Sequence, residues 1–260
     1  MGCATPATII EPSQVPTVAP PSLTPTNTPV WFPATATPTL FPTPSPQAPT
    51  PNPRSGLAML IYEDTFSDPE VWSSLSVAQG SATFGKNELT LIAQAKRVYV
   101  SSLRLEPQLN NFFAEINANP VFCRDQDEYG ILVRAVSPAN YYRFSVSCNS
   151  QTRLDRIVDG QAASLVTWQF SQAIPPGGPS RSRLQVWAYG QRMRFFANDE
   201  LLFEVRDPKL AAGGLGVFIR SASDEILTVN FTELSVFALQ PVAETPTPTL
   251  IPGTRYTPSP

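Results

Sequence analysis

From Met59 to Phe237 apolar and polar positions alternate with a period of two, interrupted at short intervals by turn residues. That period places one face of an extended chain in a core and the other face outside it. "MLIYEDTF" opens the series, and "SATFGKNELTLIAQ" reads as a hairpin with "GKN" at its tip. "RVYVSSLRL", "NFFAEINANPVF", "EYGILVRAV", "NYYRFSVSC", "TRLDRIVDG", "ASLVTW", "RLQVWAYG", "RMRFFAND", "LLFEVRD", "GLGVFIRS" and "ILTVNFTELSVF" follow. Polar turn signals, "SPAN", "DG", "YGQ" and "AND", join neighbours. About thirteen short strands at even spacing, with no amphipathic helix among them, predict an all-β sandwich or barrel.

Composition sets the borders of that domain. Of 29 Pro, 15 lie in residues 1–55 and 6 in residues 241–260. The first 55 residues carry only two charged side chains, Glu11 and Arg54. Such a tract buries too little apolar surface to offset its chain entropy. The expectation is a disordered Pro/Thr-rich tether over 1–55, a folded domain over 56–240 and a second disordered tail over 241–260. The folded part holds 16 basic and 19 acidic residues without a basic run, which argues against a nucleic-acid partner. No run of about 18 apolar residues is present to span a membrane.

Three Cys leave one over if two pair. If "EYGILVRAV" and "NYYRFSVSC" form a hairpin about "SPAN", Cys148 falls opposite residues near 126, and Cys123 lies just across the preceding loop. A bridge between them would close a loop worth roughly 3 kcal/mol in the chain-entropy model and would fit an oxidising compartment. Two buried free thiols are the alternative. Cys3, in "MGCATPA" ahead of the tether, resembles the end of a bacterial lipobox. It predicts a lipid-modified N-terminus, with an unmodified Cys in a soluble chain as the alternative. Myristoylation fails because Pro6 stands where Ser or Thr is wanted.

"YEDTFSD", "EYGILVRAVSPANYYRFSVSC", "RLDRIVDGQAASLVTW", "RLQVWAYGQRMRFFANDELLFEVRD", "AAGGLGVFIRS" and "VNFTELSVF" come in an order that resembles concanavalin A-like jelly rolls. Laminin-G-like and DUF1080-type domains of bacterial surface lipoproteins are similar. The resemblance implies an antiparallel jelly-roll β-sandwich in which "YEDTF" pairs with "VNFTELSVF". It also implies an extracytoplasmic, cell-surface lipoprotein. Because this architecture hosts lectins, glycanases and structural domains alike, it leaves the activity open.

The chain has no His, which excludes Ser-His-Asp and Cys-His nucleophiles and His-ligated zinc. Three Cys cannot form a Cys₄ site, and "GGLG" lacks the spacing and following helix of a phosphate loop. A glycosidase needs two carboxylates about 5–9.5 Å apart. Glu115, Glu128 and Asp155 are the candidates, but the alternating acidic strand of jelly-roll glucanases is missing. Where the DUF1080 type, described as a 3-keto-disaccharide hydrolase, reads Asn-Ser, this chain has Glu128 and Tyr129. Asp125, Asp127 and Glu128 form an oxygen-rich loop that would suit a structural Ca²⁺, although Tyr129 and Val136 spoil the EF-hand pattern. Plain turn acids are the alternative, and no other cofactor is expected.

Strand alternation yields the binding candidates. In "RLQVWAYG" Trp187 and Tyr189 fall on the face opposite Leu184 and Val186, and in "RMRFFA" Arg192 and Arg194 fall opposite Met193 and Phe195. Tyr141 and Arg143 are set opposite Phe144 in the same way, and Arg134 follows Leu132. Together these seven residues predict an aromatic and guanidinium surface suited to sugars, including carboxylated or sulfated ones. The alternative is that these rings fill a second core layer or lie under a loop. The expectation is a non-catalytic module binding carbohydrate or a cell-surface glycan, tethered to the membrane by lipid alone. A carbohydrate-active hydrolase and a structural or sensory spacer are its rivals.

Overall fold

A computed structural model describes residues 51–75 and 77–240. The Cys3 attachment, the tail over 241–260 and all but the last five residues of the expected tether lie outside them. Two antiparallel sheets face each other. Sheet A runs β13 (Glu200–Arg206), β12 (Arg192–Ala197), β11 (Ser182–Tyr189), β6 (Phe112–Phe122), β15 (Leu227–Leu239), β4 (Leu89–Ala93) and β3 (Gly80–Phe84). β1 (Leu57–Asp64) also pairs with β15, with Tyr62 opposite Val236 and Asp64 opposite Leu234. Sheet B runs β10 (Gln161–Phe170), β9 (Gln151–Val158), β8 (Asn140–Ser147), β7 (Glu128–Ser137), β14 (Gly213–Arg220), β5 (Tyr99–Leu109) and β2 (Ser73–Ser74). One 3-10 turn, Pro69–Val71, is the only helical element among the described residues. This is the jelly-roll β-sandwich expected from the sequence.

Local chemistry explains the hairpins. Asp159 and Gly160 between β9 and β10, and Asn198 and Asp199 between β12 and β13, all take positive φ. The mirror-image turns that match strand twist demand that conformation, and Asn, Asp and Gly tolerate it best. The inward residues of the two sheets form one core. Tyr129, Ile131 and Val133 of β7 and Tyr142, Phe144 and Val146 of β8 meet Val186 of β11 and Met193 and Phe195 of β12 in it. Phe144 lies 5.1 Å from Phe195 and 5.9 Å from Phe203, ring centre to ring centre. Cys123, just after β6, and Cys148, just after β8, are joined as a disulfide with Cα atoms 5.7 Å apart. The bridge therefore staples sheet A to sheet B at one end.

The expected border at residue 55 shifts. Pro53 is buried, and Arg54 pairs with Glu115 of β6 at 2.5 Å and with Asp199 at 2.8 Å. The last residues of the Pro-rich tract therefore belong to the packed domain, because the tract's second charged side chain finds two carboxylates there.

Candidate functional site

The outer face of sheet B is built by the residues that alternate with the core positions. Pairing across its central strands sets Leu103, Gly216, Leu132, Arg143 and Asp155 in one row. Ser101, Phe218, Gly130, Ser145 and Arg153 form the next row, and Tyr99, Arg220, Glu128 and Ser147 the one after. Gly130 is needed here, because a Cβ at that position would come 2.0 Å from the Phe144 carbonyl oxygen and 3.0 Å from the Phe218 ring. The apolar cluster on this face draws every member from strands β5, β7, β8, β9 and β14 of the sheet itself.

Tyr99 and Tyr141 stand on strands separated by β7 and β14, about 14 Å apart at normal strand spacing. Their hydroxyls nevertheless lie 3.3 Å apart. The two phenols lean toward each other across the face, where Leu132 and Phe218 have no exposed surface. Tyr99 packs on Phe218 at 5.6 Å and 24°. Burial and the neighbouring Tyr141 push its phenol well above the ordinary value.

Beside the two phenols lies a charged cluster. Asp155, with a wholly buried side chain, accepts from Arg143 Nη2 and from Arg153 Nε, each at 2.8 Å. Burial alone would lower the Arg143 pKa, but its bond to Asp155 reverses this and holds the guanidinium above its usual value. Arg153 lies 5.8 Å over the ring of Trp168. Arg220 faces Glu128 at 3.5 Å. Burial raises the Glu128 carboxyl against the opposing pull of Arg220 and Arg143. Ser145 lies near that carboxyl, yet its Oγ is buried with no partner at hydrogen-bonding distance, and Arg143 Nε is the same. Buried polar groups are rarely left so, and a polar ligand atom reaching these two would satisfy them.

The outer face of sheet A is different. Trp187 stacks on Tyr189 at 6.0 Å, and Arg194 lies 4.8 Å over Trp187. Arg192 and Arg194 both pair with Glu204, at 3.4 and 2.6 Å. Residues 53–57 cross this face. The Trp187 indole donates to the Ser55 carbonyl at 3.0 Å, Arg54 lies 5.9 Å over Phe113, and Leu57 packs on the cluster of Phe113, Trp187, Phe196 and Leu239. Trp187 is left 7% exposed.

The seven residues expected to share one surface are therefore divided. Tyr141 and Arg143 lie on sheet B, and Trp187, Tyr189, Arg192 and Arg194 lie on sheet A. Alternation reports which side of its own strand a residue takes, but not which sheet the strand joins. Arg134 is on neither surface. It takes φ +50° at a bulge in β7, is fully buried, and donates to the carbonyls of Asn110, Gly190 and Leu210. Burial lowers its pKa, and its role is to clamp three loops.

Asp125 is exposed. Asp127 is buried, accepting the backbone N–H groups of Arg124 and Ala222. Glu128 points to the sheet B face, so the three oxygen ligands considered for Ca²⁺ diverge. Among the described residues no group of three acids or Cys is arranged to hold a metal ion. Glu115 lies on sheet A, tied to Arg54. The sheet B residues that sequence reasoning missed are Tyr99, Ser145, Arg153, Phe218 and Arg220. Alternation marks each as outward once its strand is placed in the sheet, β9 beside β8, β14 beside β7 and β5 beside β14.

No protein-family model and no curated protein matches this sequence. Its fold is similar to that of a carbohydrate-binding module from Bacillus subtilis, with TM-score 0.50 and 14% identity over 64% of this chain and 95% of that one. A Bacillus subtilis protein of unknown function with a galectin-like fold is similar at TM-score 0.54 and 12% identity, over 70% and 97%. The catalytic domain of an endo-1,3-β-glucanase from Thermotoga petrophila is similar at 0.53 and 8%, over 70% and 98%.

Proposed function

We propose that this chain is a carbohydrate-binding module that holds its ligand on the outer face of sheet B and does not turn it over. The observation that carries the reading is the pair of half-buried rings, Tyr99 (held by Tyr141) and Trp168, around Arg143, Ser145, Arg153 and Asp155, with two buried polar atoms lacking a protein partner within 3.5 Å. Ring faces suit the C–H side of a pyranose, and directed polar atoms suit its hydroxyls. Fold neighbours that include a carbohydrate-binding module and a laminarinase support the same class of ligand.

A hydrolase reading draws on one observation, the raised Glu128 carboxyl, which is the state wanted in a general acid. Asp155 is the other carboxylate among the outward positions of β7, β8, β9 and β14. It pairs with Arg143, whereas Glu128 pairs with Ser147, four residues further along β8 and about 13 Å at strand rise. It is also neutralised by two arginines. Both features favour binding without catalysis. Display from a membrane through Cys3 completes the proposal, and radiolabelled fatty-acid incorporation, abolished by Cys3→Ser, would test it.

The test of the binding face is electrophoresis of the whole chain through gels containing different polysaccharides. Retardation by one glycan that Tyr141→Ala abolishes and Trp187→Phe preserves is the expected result. Retardation lost in Trp187→Phe and kept in Tyr141→Ala would move the site to sheet A. No retardation in any gel would overturn the proposal.

A further inference from the structure

We infer that the ligand of the sheet B face is an anionic saccharide, one bearing a carboxylate or a sulfate ester; this rests on the carbohydrate reading above. The charges on the face do not balance. Arg143, Arg153 and Arg220 supply three guanidinium groups, while Asp155 and Glu128 supply two carboxylates. One of those carboxylates is used twice, since Asp155 accepts from both Arg143 and Arg153. Arg220 reaches Glu128 only at 3.5 Å, and its side chain is 46% exposed. One cation is left without an anion of its own. This excess does not follow from the domain's overall charge, because acidic residues outnumber basic ones there.

The unpartnered atoms point the same way. Arg143 Nε is buried without a partner, and Ser145 Oγ, two residues along on the outward face of β8, is buried with only the Glu128 carboxyl near it, beyond 3.5 Å. Ser145 has no exposed surface at all. Each can donate to an oxyanion, and the fork of donors on a guanidinium matches a carboxylate or sulfate better than a single hydroxyl. A neutral sugar would satisfy the two atoms but leave the extra charge uncompensated. An acidic sugar does both. Trp168, half-buried, then flanks the cluster as a ring face for the sugar body.

Calorimetric titration of the full chain tests this with four polymers. Polygalacturonate carries carboxylates on sugar, dextran sulfate carries sulfates on sugar, laminarin is neutral, and poly-glutamate carries carboxylates without sugar. The expected result is binding of polygalacturonate or dextran sulfate, with the tighter of the two identifying the anion. Laminarin and poly-glutamate should bind at least about tenfold more weakly, as expected when a charge-assisted pair is lost. Arg220→Gln should weaken the preferred polymer by a similar factor, and its exposure makes misfolding no obstacle. Arg143→Gln should weaken it more, with a thermal melt confirming that the variant is folded. Arg124→Gln, a control cation near the disulfide, should change nothing. Laminarin bound as tightly as the acidic polymers would overturn the anionic assignment and leave the carbohydrate reading standing. Poly-glutamate bound equally well would reduce the face to a charge patch and overturn both. Normal binding by both arginine variants would overturn the assignment, and no binding of any polymer would remove both readings.

Discussion

Opening the Cys123–Cys148 bridge should lower stability by an amount the chain fixes in advance. The two cysteines are 25 residues apart, and both are buried. In the loop-entropy model a closed loop of that length removes about 12 cal/mol/K from the unfolded chain, or about 3.5 kcal/mol at 25 °C. The native state should survive the loss, because Cys148 stays seated by backbone bonds. Its N–H donates to the Asp127 carbonyl at 3.0 Å, and its own carbonyl accepts from Gly177 at 2.7 Å. For a domain of this size each kcal/mol moves Tm by about 2–4 °C, so the shift should be about 7–14 °C. Differential scanning calorimetry of the oxidised chain, the chain reduced with a phosphine, and the Cys123→Ala/Cys148→Ala double variant measures it. Reduction isolates the bridge, while the variant adds a small packing loss. A shift under about 3 °C on reduction would refute the loop-entropy argument and imply that the reduced unfolded chain keeps this end of the sheets together.

Arg134→Met should destabilise by at least about 3 kcal/mol in urea unfolding, since three buried carbonyls lose a charged donor. Trp187→Phe should cost about 1 kcal/mol in the same assay, the worth of its bond to the Ser55 carbonyl. Glu128→Gln should raise Tm at neutral pH. Its carboxyl titrates higher in the folded state, so the ionised form opposes folding, and the gain should vanish as pH falls through that folded value. Asp207 runs the opposite way. Burial pushes it up, but bonds from Tyr142, the Lys209 N–H and Arg156 more than reverse this and hold it below the usual carboxylate range. Its contribution is present above the unfolded pKa of about 3.9 and lost as pH falls through the lower folded value. Asp207→Asn should therefore flatten the acid limb of a Tm-against-pH curve.

The strands were legible because alternation and turn chemistry are local. Asp-Gly at 159–160 and Asn-Asp at 198–199 announce their hairpins without reference to anything distant. The disulfide was legible for the same reason, since the "SPAN" hairpin fixes the register that brings Cys148 back toward Cys123. The candidate surface was not, because sheet membership is non-local. β8 and β11 show the same alternation, yet β8 pairs with β7 and β9 while β11 pairs with β6 and β12. β5 reaches the site only through β14, more than a hundred residues later, so Tyr99 carried no sign of its neighbours. Arg134 was misread because alternation fails at a bulge, and an arginine at φ +50° gives no notice of one. The cover over Trp187 had one faint signal, the isolated Arg54 at the end of a nearly uncharged tract. Its meaning depended on Glu115 and Asp199, both far along the chain.

On the reading proposed above, sheet B, and not sheet A, holds the saccharide. Backbone amide NMR of the full chain during titration with whichever polysaccharide retards it distinguishes the two faces. Shift changes are expected at residues 99–103, 128–132, 141–145, 153–157 and 216–220, with β11 and β12 silent. Changes concentrated at 187–196 and at 54–57, with the sheet B residues unmoved, would contradict it.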